Sequence, residues 1–303
     1  MRGGACVKWL NNKTEGLINF SDLKSGKVKV AYTVMIIFLV VLAISCLLPV
    51  VWAAMSALKQ PEEMYRIPPT FFPTTVDLSR VKKIVSQVHI GHYLLNTILI
   101  ILGCWNVDVL FNGLAGYVLS KIRPKGTPVV ETLIFWSMML PGISMAPLYM
   151  TFVDLPILHI DISGTFFPLW IMAGCNAFNI MLFRNFFNGI PKDYMEAAKI
   201  DGCSDWKIFF RIILPLSKPV LAVVTIYSVI GSWNNFMWPY LLLEGTSHEP
   251  LSVLLFHISN GALPLPDNDA LLIAMFAAIP PIIIYAFLAK HINGGLNMSG
   301  IKG

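Results

Sequence analysis

The chain has 303 residues, of which 56% are hydrophobic and only 13% charged, and a formal net charge of +5. With a mean hydropathy of +0.68 it lacks the polar surface that a soluble domain of this length needs, which points away from a soluble enzyme or a nucleic-acid-binding domain and toward a membrane protein. Five cysteines, Cys6, Cys46, Cys104, Cys175 and Cys203, form no CxxC and read as small buried hydrophobes.

Residues 1–29 form a basic leader of mixed character, read as an inner-leaflet or unstructured extension rather than a separate domain. Crossing a bilayer takes roughly 20 apolar residues, since a helix rises about 1.5 Å per residue and the hydrocarbon is about 30 Å thick. Six stretches qualify: Val30 to Trp52, Leu94 to Leu119, Pro128 to Met150, Ser163 to Phe183, Val220 to Leu243 and Asp269 to Ala289. The first exceeds a signal-peptide core of about 7–15 residues, although Ala53, Ala54 and Ala57 offer a small-residue cleavage pattern. None shows the alternation of a barrel strand, so a bundle of six transmembrane helices is expected.

Between the first two spans, "YRIPPTFFPTT" suits an extended element at headgroup level that shields the bundle. Span two carries Asn106, Asp108 and Asn112. A carboxylate at bilayer depth costs at least about 2.5 kcal/mol, so Asp108 faces protein or water. Two readings stay open: a pathway or proton-relay group, or a paired residue that holds helices together with the asparagines. Pro141, Gly142 and Pro147 in span three and Pro280 and Pro281 in span six are expected to kink or unwind their helices.

Of the 22 lysines and arginines, 17 lie in the leader (6), residues 120–127 (3), residues 184–219 (6) and the tail (2). By the positive-inside rule those segments and both termini are cytoplasmic. The chain contains no GxxxxGK[ST], HExxH or GxSxG, so neither a phosphate loop nor a recognisable enzyme constellation is present. His89 and His92 form an HxxH without acids or cysteines nearby in sequence, an interfacial pair rather than a metal site.

The cytoplasmic stretch "KDYMEAAKIDGCSDWKIFFRIILPLSKP", residues 192–219, is a long polar passage between two apolar runs. Pro191 can start a helix. Tyr194, Ala197, Ala198 and Asp201 then share one face at i, i+3, i+4 and i+7, a shallow small-residue spot flanked by Glu196 and ended by Gly202. A second run, "SDWKIFFRII", sets Trp206, Phe209, Phe210 and Ile213 against Lys207 and Arg211, an amphipathic helix expected along the membrane surface until Pro215 breaks it. Spacing alone leaves a solvated loop with interfacial helices as the alternative.

The passage resembles the EAA loop of bacterial ATP-binding-cassette importer permeases, with Glu196, Ala197, Ala198, Asp201, Gly202, Ile212, Leu214, Pro215 and Pro219 at the motif positions. "MLPGISMAPLYM", "WNNFMWPYLLL" and the terminal "GGLNMSGIKG" resemble the carbohydrate branch related to the maltose permease, and the likeness spans residues 30–303. The resemblance implies a type I (MetI-like) all-α permease domain over 30–303, with coupling loop 184–219 and cytoplasmic tail 290–303, in the bacterial inner (cytoplasmic) membrane. It implies a second homologous permease as heterodimer partner, two cytoplasmic ATPase subunits that hold ATP and Mg, an extracellular solute-binding protein, a sugar substrate, surrounding lipid, and no cofactor on this chain or nucleic-acid partner. The ATPase-docking residues would be Tyr194, Glu196, Ala197, Ala198, Asp201, Gly202 and Pro215, joined by the tail residues Gly300, Ile301, Lys302 and Gly303. The loop from Glu244 to Asn268 would lie outside, with Asn260, Gly261, Leu263 and Pro264 facing the binding protein, and Asn106, Asp108 and Asn112 would line the pathway. The competing reading is a proton-coupled secondary carrier that uses Asp108.

Overall fold

A computed structural model describes residues 26–139 and 145–296. The tail residues Gly300 to Gly303, nearly all of the leader, Pro141 and Gly142 lie outside the described residues. Among the described residues all regular structure is helical.

The chain begins with α1 (Gly26–Ala57), whose flank from Val30 to Val51 presents apolar side chains outward. That exposure suits lipid as solvent, where apolar surface carries no burial incentive. Ala57, offered by sequence as part of a cleavage pattern, is instead buried at the helix end, where α1 packs against the last helix. Two short helices follow, α2 (Pro61–Met64) and α3 (Leu78–Gln87), the latter capped by the Asp77 carboxylate, which accepts from the Ser79 and Arg80 amides. Between them the Pro- and Phe-rich segment is irregular, a series of bends without a strand.

Helix α4 (Ile90–Ile122) is 33 residues long, about 50 Å at 1.5 Å per residue, so it overshoots the hydrocarbon. It contains two π-helical turns, Asp108–Asn112 and Val118–Ile122, a local widening that recurs at functional positions. Next come α5 (Thr127–Met139) and α6 (Met145–Val153).

The fourth and fifth expected spans are broken. Ser163 to Phe183 divides into α7 (Phe167–Ala173) and α8 (Ala177–Asn188) because Asn176 turns extended and caps α8, its side chain accepting from the Asn179 amide. After α9 (Asp193–Ile200) and α10 (Asp205–Leu216), α11 (Lys218–Asn234) ends where Asn235 becomes extended and α12 (Met237–Leu243) restarts the path. The outer segment from Glu244 to Asn268, expected as a loop, contains α13 (Leu251–Ser259), which buries Leu251, Val253 and Leu254. The last helix, α14 (Asp267–Leu296), is continuous through Pro280 and Pro281. The expected unwinding there is absent. By length and hydropathy, α1, α4 and the segment Asp267–Ala286 of α14 can each cross a membrane as a single helix, and α10 with α11 as a bent pair.

Three buried clusters organise the packing. One, at the end of α1, joins Ala57, Ile84, Ile90, Leu254 and Ile273. A middle one joins Ile100, Leu169, Leu242 and Leu243. The third gathers Tyr117, Phe183, Phe187, Ile208, Phe209 and Ile213 under the polar passage. Gly116 lets α4 and α8 touch: a Cβ there would lie 2.7 Å from Phe183 Cβ and 2.9 Å from the Arg184 amide nitrogen. Of the described cysteines only Cys104 is buried; Cys46 and Cys175 are exposed and Cys203 intermediate, so the uniformly buried reading is corrected.

Polar bonds tie the end of the bundle around α2 and α3. Arg80 Nη2 reaches Asp269 Oδ1 at 2.6 Å and Arg80 also donates to the Lys59 carbonyl, to which Asn268 donates as well at 3.1 Å. Glu63 accepts from Thr70 Oγ1 at 2.8 Å and from the Thr74 amide at 3.0 Å. His92 contacts the Ser247 carbonyl at 2.6 Å and His89 the Gln87 carbonyl at 3.1 Å, so both rings serve local chain packing.

Candidate functional site

The polar passage forms a helix, a tight joint and a second helix. α9 starts at Asp193, two residues after Pro191, and ends in a Schellman closure: Gly202 N–H donates to the Lys199 carbonyl at 3.0 Å and Cys203 N–H to the Ala198 carbonyl at 2.9 Å. Gly202 has φ +74°, a left-handed conformation that costs other L-residues strain. Ser204 then caps α10.

The face of α9 differs from its sequence expectation in one respect. Ala198 is 6% exposed and, with Met195, packs into the cluster below. Tyr194, Glu196, Ala197 and Asp201 remain outward, and Ile200, overlooked by the spacing argument, is 87% exposed. Ile200 was visible in the sequence as an apolar residue at the end of the helix, but its outward direction was not. The exposed surface is therefore Tyr194, Ala197, Ile200 and Asp201, with Ala198 as its floor.

α10 was expected to rest on the membrane by its apolar face. Instead Ile208, Phe209 and Ile213 are fully buried in the protein, Phe209 against Tyr117 at 5.5 Å between ring centroids, while Trp206 and Phe210 stack on each other outside. Pro215 does not break the helix, which continues to Leu216; the chain bends by 84° around Ser217 before α11. There Ser217 Oγ, buried, donates to the Ile213 carbonyl at 2.6 Å.

Charges bolt this unit to the spans. Lys121 Nζ donates to the Ile190 carbonyl at 2.6 Å. Asn188 Oδ1 accepts from Ser120 Oγ and Arg123 Nη2, each at 3.0 Å. Arg184 grips Glu131 in a two-pronged pair at 2.9 and 2.8 Å, the fork geometry that suits guanidinium and carboxylate. These bonds join α4, α5 and α8 beside α9, whose Met195 and Ala198 pack into the cluster with Tyr117, Phe183 and Phe187.

In the span region the three polar residues of α4 separate. Asn106 is exposed and bonds its own helix at the Leu102 carbonyl. Asp108, 3% exposed, accepts from Asn112 Nδ2 at 2.6 Å and from Asn179 Nδ2 at 3.0 and 2.8 Å. Asn112 also donates to the Ala173 carbonyl at 2.9 Å and accepts from the Asn176 amide at 3.2 Å. The π turn thereby locks α4 onto the break between α7 and α8, satisfying the backbone groups that the break frees. Asn176 and Asn179 were missed, although two amides inside an apolar run were a legible signal.

Beside this network a cavity of about 380 Å³ opens among α4, α7, α8, α11 and α12, with Asp108, Asn179, Ser232 and Asn235 on its polar side and Tyr227 and Trp238 on its aromatic side. At the outer end, Asn260, Gly261 and Pro264 form an exposed turn, while Leu263 is half-buried and its amide donates to the His257 carbonyl at 2.9 Å. Among the described residues no cluster of His, Cys, Asp and Glu could hold a metal ion.

Comparison with known proteins bears on this geometry. The family model described as "Binding-protein-dependent transport system inner membrane component" matches residues 112–297. The chain is 29% identical over 280 residues, 88% of its length and 96% of the relative's, to the polygalacturonan/rhamnogalacturonan transport system permease protein YtcP of Bacillus subtilis. It is 32% identical over 200 residues, 65% of its length and 68% of the relative's, to the arabinooligosaccharides transport system permease protein AraQ of the same species. Its fold matches a solved chain of a bacterial ABC transporter involved in the import of the acidic polysaccharide alginate, with a TM-score of 0.78, 26% identity and coverage of 88% of this chain and 98% of that one. None of these relatives supports the proton-coupled alternative, and in this chain Asp108 is held by amides. The chain belongs to the family of binding-protein-dependent transport system inner membrane components: it is a multi-pass permease subunit of an ABC importer, served by an ATPase and a solute-binding protein, and not itself an enzyme.

Proposed function

We propose that this chain is one half of a heterodimeric permease that imports a saccharide, and that its polar passage is the joint driven by the ATPase. The observation that carries the reading is the outward surface of Tyr194, Ala197, Ile200 and Asp201 on a helix whose inner residues, Met195 and Ala198, pack into the cluster that Tyr117, Phe183 and Phe187 form on the spans. Each of two ATPase subunits binds ATP and Mg and receives one such helix in a cleft. Glu196 and Asp201 give polar contacts at its edge, Ala197 allows close approach, and Gly202 sets the angle to α10. Pro215, exposed near the 84° bend, stiffens the lever that α10 forms.

In this reading both termini and the leader 1–29 are cytoplasmic, supported by the charge asymmetry, and Gly300 to Gly303 enter the ATPase interface. The turn Asn260 to Pro264 faces the solute-binding protein. The saccharide class is supported by the relatives, permease proteins of polygalacturonan/rhamnogalacturonan and arabinooligosaccharide transport systems. The cavity beside Asp108 and Asn112 is this subunit's share of the pathway; exposed Asn106 stands apart from it.

The test is reconstitution of both permeases, the ATPase and the binding protein in proteoliposomes. Replacing Ile200 with Asp and Ala197 with Glu should abolish ATPase association and ATP-driven uptake while leaving the permease pair folded. Retained association and uptake would refute the docking surface.

A further inference from the structure

We propose that Ser217 is the positioning residue of the elbow between α10 and α11, its buried hydroxyl holding the angle at which α11 leaves α10; the inference rests on the reading above of α9 and α10 as the joint driven by the ATPase. The bend follows from Pro219, which lacks an N–H and whose ring collides, in a straight helix, with the carbonyl four residues back. A proline forces a bend without fixing its angle. In a regular α-helix the Ile213 carbonyl would accept from the Ser217 amide. Here that amide donates to the Leu214 carbonyl at 3.1 Å, and Ser217, with φ −94° and ψ +15°, has left the helical region. Ile213 and Ser217 are both 0% exposed, so water cannot serve the Ile213 carbonyl. The Ser217 hydroxyl takes the vacated place, Oγ donating to that carbonyl at 2.6 Å.

On its other side Ser217 offers its carbonyl to the Leu221 amide at 2.9 Å, closing the first turn of α11. One residue therefore bonds twice back into α10 and once forward into α11. A serine hydroxyl that bonds four residues back in addition to the backbone amide bends a helix. At Ser217 the hydroxyl bond replaces the amide bond, so its loss would leave a buried acceptor unpaired. The Ser217 amide is then the remaining donor of this residue, and its return to Ile213 would change the angle. Packing closes the inner side, where Ile213 of α10 and Val220 and Val224 of α11 share one cluster with Phe209. That cluster keeps the two helices in contact, whereas the hydroxyl sets the angle at which they meet. Ser217 stands apart from the outward surface of α9, so its loss uncouples α11 from the ATPase without removing the docking surface.

The elbow is tested in the whole complex of both permeases and ATPase in nanodiscs, with spin-labelled unnatural residues in place of Arg211 on α10 and Ile230 on α11, both exposed. The distance between the labels is read by pulsed electron resonance without nucleotide and in the vanadate-trapped state. One narrow distance, the same in both states, is expected for the unmutated elbow, because α10 and α11 move as one body. In Ser217→Ala a second distance should appear, its population raised about 5-fold or more by loss of one buried hydrogen bond, and it should change with nucleotide. Ser217→Cys, similar in size with a weaker donor, should fall between, and it decides the matter where the alanine variant does not assemble. Ser217→Thr, which keeps the hydroxyl, should show the single distance. A single unchanged distance in Ser217→Ala and Ser217→Cys, a distance that changes with nucleotide in the unmutated elbow, or the same second distance in Ser217→Thr as in Ser217→Ala would overturn the assignment. Association of the ATPase is measured alongside in Ile200→Asp. Intact association there refutes docking on α9 and takes the elbow's motor with it, whereas association lost in Ile200→Asp with one unchanged distance in Ser217→Ala and Ser217→Cys removes the elbow alone.

Discussion

Gly202 separates two explanations of the joint between α9 and α10. It sits at φ +74°, and a Cβ built on it would meet no atom within 4 Å. Within this subunit, then, a side chain has room and only the backbone objects. The left-handed conformation costs an ordinary L-residue about 1–2 kcal/mol, which is a factor of about 5–30 in an equilibrium. Asparagine visits that region more readily than alanine. If Gly202 acts through its conformation, Gly202→Asn should retain more ATPase association than Gly202→Ala, with the alanine variant weakened about 5- to 30-fold. Affinity would be measured by titrating labelled ATPase onto the permease pair in nanodiscs, and the closure itself by amide exchange at Gly202 and Cys203, whose donors cap Lys199 and Ala198. If instead glycine is needed so that the ATPase can approach the backbone, the larger asparagine must be worse than alanine. That order would refute the conformational argument.

Phe209→Ala should destabilise the purified subunit by about 3–5 kcal/mol, the usual cost of emptying a buried aromatic site, since Phe209 is fully buried against Tyr117; thermal unfolding in detergent reads it. Gly116→Val should cost about 1–3 kcal/mol by overpacking, because even a Cβ lies 2.9 Å from the Arg184 amide nitrogen, and it should lower ATP-driven uptake as α4 and α8 are forced apart. Arg184→Met leaves the Glu131 carboxylate, 18% exposed, without its fork, so a loss of about 1.5–3 kcal/mol in thermal stability is expected, with Glu131→Gln milder. Burial by itself would raise the Glu63 carboxyl, yet hydrogen bonds from Thr70 and Thr74 and the nearby Lys59 ammonium hold it below its ordinary value. A lowered folded value means that its stabilisation is complete above the usual glutamate range, about 4.3, and is lost as pH falls through the folded value. Glu63→Gln should flatten the acid limb of the stability curve below about pH 4.3.

Sequence alone settled the class of this protein. Apolar runs long enough to cross a bilayer, a polar passage between two of them and the EAA spacing of Glu196, Ala197, Ala198 and Gly202 made a helical importer permease legible, because hydropathy and local turn chemistry are properties of short windows. The Gly202 stop is the clearest case: a glycine after a short helical run is a local signal, and the left-handed closure is there. What local windows could not decide were the direction of side chains and the integrity of spans. Ala198 and Ile200 lie two residues apart, yet one forms the floor of the joint and the other projects outward, because the cluster around Phe187 and Phe209 fixes the roll of α9. Likewise Ser163 to Phe183 reads as one apolar span, but Asn176 can break it since Asn112, distant in sequence, accepts the freed amide. The side-chain amides of Asn112 and Asn179 also turn Asp108 from an isolated acid into one member of a hydrogen-bonded network beside a cavity. Composition determines that the chain enters the membrane; only tertiary packing, by supplying partners for buried polar groups, determines where a helix is allowed to break.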